Sequence, residues 1–116
     1  DAVLAATSHQ PHVLAYALVD ALAGADASED IFRLAACGFR DFTRIASSDP
    51  VMWRDIAIAN KHALLTVMDS FTEHLSDLRR AVEQEDGQRI LETFSRAKRA
   101  RDEFAAMLAE RGQSSH

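Results

Sequence analysis

Only one cysteine, Cys37, occurs in the 116 residues. A lone thiol forms no internal disulfide and builds no multi-cysteine zinc site, so both a disulfide scaffold and a thiolate metal centre are excluded and a reducing, cytoplasmic setting is expected. Positive charge is also scarce. Thirteen Lys and Arg face 18 Asp and Glu, a formal net charge of -5, and no basic stripe is present of the kind that a phosphate backbone requires, so nucleic acid is not an expected partner. No apolar run approaches the roughly 20 residues of a membrane span, and the N-terminus lacks the basic region of a secretory signal, so no membrane partner is expected. The chain shows no strand pattern, no internal repeat and no low-complexity segment. It begins at Asp1 in mid-pattern and reads as a piece of something longer, one domain by size over residues 1–116.

What is present is helical periodicity. Across residues 2–23, Val3, Leu4, Val13, Leu14, Leu18 and Leu22 recur at spacings of three and four, which marks one face of a helix. Pro11 interrupts it; with no N–H to donate, it predicts a kink or restart around residues 8–10. Gly24 ends this pattern, Ser28 can cap a short helix through "EDIFRLA", Gly38 interrupts again, and "FRDFTRIA" supplies a further helical turn or two. In "SSDP", Asp49 can cap a new helix while Pro50 takes its first position. From there Trp53, Ile56, Asn60, Leu64, Val67 and Phe71 step by three or four, and Leu75, Leu78 and Val82 continue the row, so one long helix is expected over residues 50–82. Residues 85–87, "EDG", turn the chain. Ile90, Phe94, Ala97, Arg101, Phe104 and Leu108 carry a last helix, and the tail "GQSSH" is expected to fray.

The expected fold class is therefore all-α, a helical bundle with a long antiparallel helical hairpin. A helix of about 33 residues spans roughly 50 Å, whereas a compact domain of this size is about 30 Å across. The excess seam needs a cover. A second copy of the chain supplies one, giving an intertwined homodimer; a closed monomeric bundle is the alternative.

Two clusters carry possible chemistry. In "TSHQPH", His9 and His12 are three residues apart and share a helix face. Two histidines are not a metal site, and no Glu-x-x-His pair accompanies them, so no metal is expected and a structural or solvent-facing role stays open for both. His62, His74 and His116 fall on polar faces or the tail. The second cluster is "GFRDFTRIASSDPVMWRDI". Here Arg40, Arg44 and Arg54 lie among Phe39, Phe42, Ile45 and Trp53, with Arg44 on the apolar side. An arginine so placed needs an anion, either one of Asp41, Asp49 and Asp55 or the carboxylate of a ligand.

Together "TSHQPHVLAYALVD" and "GFRDFTRIASSDPVMWRDI" resemble the C-terminal domain of the prephenate dehydrogenases, a family that includes arogenate and cyclohexadienyl dehydrogenases of tyrosine biosynthesis. The first stretch is similar to the family's Ser-His-x-Pro-His element and the second to its Phe-x-Asp-Phe-Thr-Arg-Ile-Ala-x-Ser-Asp-Pro-x-Met-Trp element. Ala36 and Cys37 precede Gly38 where members often carry further glycines. The resemblance implies an N-terminal Rossmann domain that binds NAD or NADP and carries the catalytic histidine. This chain would be the helical part that dimerises and closes the site, and alone it is expected to be inactive. It contains no strand followed by a glycine-rich phosphate turn.

The implied reaction is oxidative decarboxylation of prephenate to 4-hydroxyphenylpyruvate, with arogenate as the other substrate. By the same resemblance Arg44 binds a substrate carboxylate and His12 lines the site, aimed by Pro11. His9 is the element's other histidine, Asp41 orients Arg44 or nearby backbone, and Trp53 lines the pocket. Tyrosine, which shares the product's phenol and a carboxylate, is an expected inhibitor. The rival reading is a helical interaction module without catalysis.

Overall fold

Asp1 starts the first helix as its cap. Its carboxylate accepts from the amides of Val3 (2.8 Å) and Leu4 (3.3 Å), two of the donors that a helix start leaves without partners. The computed structural model describes residues 1–24, 30, 33 and 37–114. Among them are helices α1 (Ala2–Leu4), α2 (Gln10–Ala23), α3 (Cys37–Thr43), α4 (Pro50–Ala59), α5 (Lys61–Glu83) and α6 (Gly87–Ser114), with no strand. The fold is all-α. Ser28 and His116 lie outside the described residues. Contacts divide the chain into two compact units, Asp1–Phe71 and Thr72–His116.

Within the first unit, the break expected before Pro11 takes another form. The backbone does not restart: Leu4, Ala5, His9 and Gln10 all keep right-handed helical angles. Instead the turn Ala5–His9 widens to π spacing, with the Gln10 amide donating to the Ala5 carbonyl five residues back. A widened turn of this kind accommodates the donor that Pro11 lacks, and it rotates the following side chains about the axis. α2 then packs against the π turn, α3 and the 3₁₀ turn Arg44–Ser47. Ala5 and Ala15 are fully buried, and their small side chains permit close approach of the backbones. Tyr16 ties α2 to the start of α4 by donating its hydroxyl to the Ser48 carbonyl at 2.8 Å.

α4 begins as its sequence dictates. The Asp49 carboxylate accepts from the Val51 amide at 3.0 Å, and Pro50 occupies the first turn. The single helix expected over residues 50–82 is not found. It is broken at Asn60, whose backbone leaves the helical region at φ -112°, ψ 35°. Beyond the break Leu64 donates to the Asn60 carbonyl and α5 begins. At the break the Asn60 side chain bonds to Asp1 and His9 rather than joining the apolar row.

The second unit is the expected antiparallel hairpin of α5, from Thr72 on, and α6. Asp86 donates to the Ala81 carbonyl and Glu85 to that of Val82, the double bond of a Schellman ending. The left-handed position falls on Glu85, φ 54°, and not on Gly87. Asp86 then caps α6 by accepting from the Arg89 amide at 3.1 Å. His74, Asp77 and Ala81 share one small cavity with Arg96, Thr93 and Arg89, so the two helices run side by side in that register. α6 runs through Gly112 to Ser114, since one glycine near a helix end costs only about 1 kcal/mol; the last two residues of the tail expected to fray lie outside the described residues.

A side chain at φ 54° is strained by its Cβ, and glycine relieves this. Glu85→Gly is expected to raise stability by about 0.5 to 1 kcal/mol. Thermal unfolding followed by circular dichroism checks it; a lower midpoint would mean that Glu85 makes a contact worth more than its strain.

Candidate functional site

The π turn and α4 together build a cluster of rings in the first unit. The His12 imidazole stacks on the Trp53 indole, ring centroids 3.6 Å apart and planes 15° from parallel. His9 meets the same indole edge-on, at 6.2 Å and 74°. Both histidines and Trp53 are half-buried. A flat ring against a flat ring both excludes water and fixes orientation, so the indole is the platform on which the two imidazoles sit.

Hydrogen bonds set the chemistry of each imidazole. His12 Nδ1 lies 2.9 Å from the Ser8 carbonyl. A carbonyl only accepts, so Nδ1 carries the proton and the neutral ring keeps a lone pair on Nε2. His9 Nδ1 lies 3.1 Å from Asn60 Nδ2. An amide nitrogen only donates, so here Nδ1 accepts.

Beside the stack lies a cavity of about 250 Å³ lined by His12, Val13, Tyr16, Trp53, Arg54 and Ala57, with Pro50 at its edge. Its walls come from α2 and α4. Arg54 is ion-paired to Asp55 at 2.9 Å, with both side chains exposed. Such a pair contributes little to stability.

Arg44 and Asp41 lie elsewhere. They line a second, shallower concavity of about 490 Å³ with Arg40, Thr43 and Ser47, on α3 and the 3₁₀ turn. The structure thus brings together His9, His12 and Trp53, and groups Arg44 with Asp41 in a separate concavity. Arg44 is exposed, which corrects its expected place among apolar groups. Phe42, the neighbour expected to share its face, is itself 48% exposed, so this face is open to solvent in the single chain. No ion pair joins Asp41 to Arg44 among the described residues; the guanidinium groups of Arg40 and Arg44 line one concavity.

Asn60 and Tyr16 are the residues that sequence reasoning missed as parts of this region. An asparagine in an otherwise apolar row was the available signal for the first. Among the described residues no group of three or more His, Cys, Asp or Glu is placed to hold a metal ion, and no helix is long and apolar enough to cross a membrane.

Comparison with known proteins gives these features a context. Residues 1–96 match the prephenate dehydrogenase dimerization domain. A cyclohexadienyl dehydrogenase of Zymomonas mobilis is 45% identical over 103 residues, 87% of this chain and 35% of that protein. Among solved structures, a prephenate dehydrogenase from A. aeolicus in complex with hydroxyphenyl propionate and NAD+ superposes with a TM-score of 0.82 at 39% identity, covering 90% of this chain and 37% of that one. The arogenate dehydrogenase of Synechocystis superposes with a TM-score of 0.84 at 27% identity, covering 90% of this chain and 38% of that one. The chain thus spans little more than a third of the length of these relatives. With the Ser-His-x-Pro-His element at residues 8–12 folded onto Trp53 and the match extending over residues 1–96, the chain belongs to the prephenate dehydrogenase family, as its dimerization domain.

Proposed function

We propose that this chain supplies the dimerisation surface and part of the substrate site of a dehydrogenase that oxidatively decarboxylates prephenate to 4-hydroxyphenylpyruvate in tyrosine biosynthesis, in the cytoplasm. The observation that carries this reading is the His9, His12 and Trp53 cluster, formed by the sequence elements that mark the family. The ligand of the A. aeolicus relative, hydroxyphenyl propionate, is a phenol bearing a carboxylate, as is the proposed product. Arogenate, named for the Synechocystis relative, is the second candidate substrate.

The residues divide the work by chemistry. Arg44, with Arg40 beside it, offers paired donors to a carboxylate, and Asp41 lines the same concavity. His12 offers its Nε2 lone pair to a ring hydroxyl, while Trp53 keeps water from one side of the imidazole. His9 provides a second polar contact. A dinucleotide does not fit this chain alone: among its described residues there is no strand, hence no strand, glycine turn and helix to cradle a pyrophosphate. NAD or NADP is assigned to a preceding domain.

The proposal extends to the assembly. Ala5, Ala15, Leu64 and Ala81 are the buried apolar residues among those described, while Leu75, Val82, Leu91, Phe94, Phe104 and Leu108 of the second unit are exposed. A hairpin so open needs a partner, and a second copy of the chain is the partner proposed.

Assay of the complete protein with prephenate or arogenate and NAD or NADP tests the activity. Turnover of one substrate is expected, and turnover of none would refute the reading. The chain by itself is expected to show no turnover and to bind both NAD and tyrosine weakly in calorimetric titration, because much of the pocket wall is missing. Tight binding of NAD would overturn the division of labour, whereas tight binding of tyrosine alone would point to a self-contained regulatory site in place of product-like inhibition.

A further inference from the structure

Asn60 stands where the sequence pattern wants an apolar residue, and it interrupts α4 and α5 to do so. Its amide is held at both ends. Nδ2 donates to the Asp1 carbonyl at 2.9 Å, and the terminal ammonium of Asp1 donates to Oδ1 at 2.6 Å. A flipped amide would set its oxygen against the Asp1 carbonyl, acceptor against acceptor, so the bond to that carbonyl fixes which end is nitrogen. The remaining Nδ2 hydrogen points to His9 Nδ1 at 3.1 Å. His9 Nδ1 must then be bare, and the proton of the neutral imidazole sits on Nε2.

The consequence is an asymmetry within one helical turn. His12 gives its Nδ1 proton to Ser8 and presents a bare Nε2; His9 receives at Nδ1 and presents an Nε2–H. One ring offers a lone pair and the other a donor, both against Trp53. A ligand carrying a hydroxyl together with acceptor oxygens needs one of each. We propose that Asn60 is a positioning residue of the site, acting through His9 by fixing it as an Nε2–H donor. The functional part of this inference rests on the proposed role of His9, but the tautomer stands independently of it.

The test has two arms. In the first, the chain is labelled with ¹⁵N in its histidine rings and the His9 signals are identified by their loss in His9→Gln. In the wild type the proton is expected on Nε2. Asn60→Asp replaces the donor by an acceptor of the same shape and is expected to move the proton to Nδ1. Should that variant lose its helical circular dichroism, Asn60→Ala serves instead, with growth of the Nδ1–H form expected. A wild-type His9 protonated on Nδ1, or ring signals unchanged in a folded variant, would overturn the proposal.

In the second arm, kcat/KM of the complete dehydrogenase is expected to fall roughly tenfold in Asn60→Asp, the effect of one misdirected hydrogen bond. The double variant with His9→Gln should lose no more than His9→Gln alone. Losses that multiply would show that Asn60 does not act through His9 and would overturn the positioning role. An unchanged rate in His9→Gln would refute instead the proposed function of His9, while leaving the tautomer result of the first arm in place.

Discussion

Replacing Arg44 by alanine in the complete dehydrogenase is expected to weaken substrate binding by about 2 to 4 kcal/mol, which is about 30- to 1000-fold. The expectation rests on where the side chain stands. Arg44 is exposed on the 3₁₀ turn and shares its concavity with Arg40. A cation without an internal carboxylate partner among the described residues is not held there by the fold's own electrostatics. Its removal should therefore leave the thermal midpoint nearly unchanged, as surface substitutions do. Lysine should rescue only part of the loss, since an ammonium keeps the charge but not the planar pair of donors that matches a carboxylate. Measurement of KM and of the thermal midpoint on the same preparations separates the roles. An Arg44→Ala enzyme that unfolds early while keeping a normal KM would mean that the guanidinium serves the fold and not the ligand.

Arg44 also shows how far a sequence carries. Its type and its neighbours make it a candidate for holding an anion, and the Asp49 and Pro50 pair marks the start of α4, because capping depends on three or four consecutive residues. Whether that face is covered depends on something less visible. Helical spacing places residues on one side of a helix but does not say what packs against that side, and Phe42 itself is 48% exposed in the single chain.

The π turn has the same character. Pro11 announces that the helix is disturbed, but a missing donor is compatible with a kink, a restart or a widened turn, and the choice is made by packing. Asn60 was harder still. Its partners are 59 and 51 residues away, at Asp1 and His9, and spacing within one helix holds no information about them. Had the row been broken by proline or glycine, the interruption would have been readable; an asparagine at a tolerated spacing was not. The hairpin, in contrast, was legible almost to its ends, because Leu75, Val82, Ile90 and Phe94 keep one period on either side of a short turn.

That same hairpin gives the sharpest test of assembly, because one substitution has opposite consequences in a monomer and in a dimer. Phe94 is 57% exposed in the single chain. If the chain functions as a monomer, Phe94→Asp puts a charge in water and should change stability by no more than about 0.5 kcal/mol. If a second copy covers the seam, the same change places a carboxylate in an apolar interface in both chains at once. An unpaired charge removed from water costs several kcal/mol, and symmetry doubles it. Sedimentation equilibrium at micromolar concentration is expected to give a homodimer for the wild type and a monomer for Phe94→Asp. With so few of the described residues buried in the single chain, dissociation should also lower the helical content and make the wild-type thermal midpoint depend on concentration. A wild-type chain that sediments as a monomer would refute the proposed homodimer. A wild-type dimer that Phe94→Asp leaves intact would move the interface off this face of the hairpin, since the hydrophobic row could not then be what the two copies share.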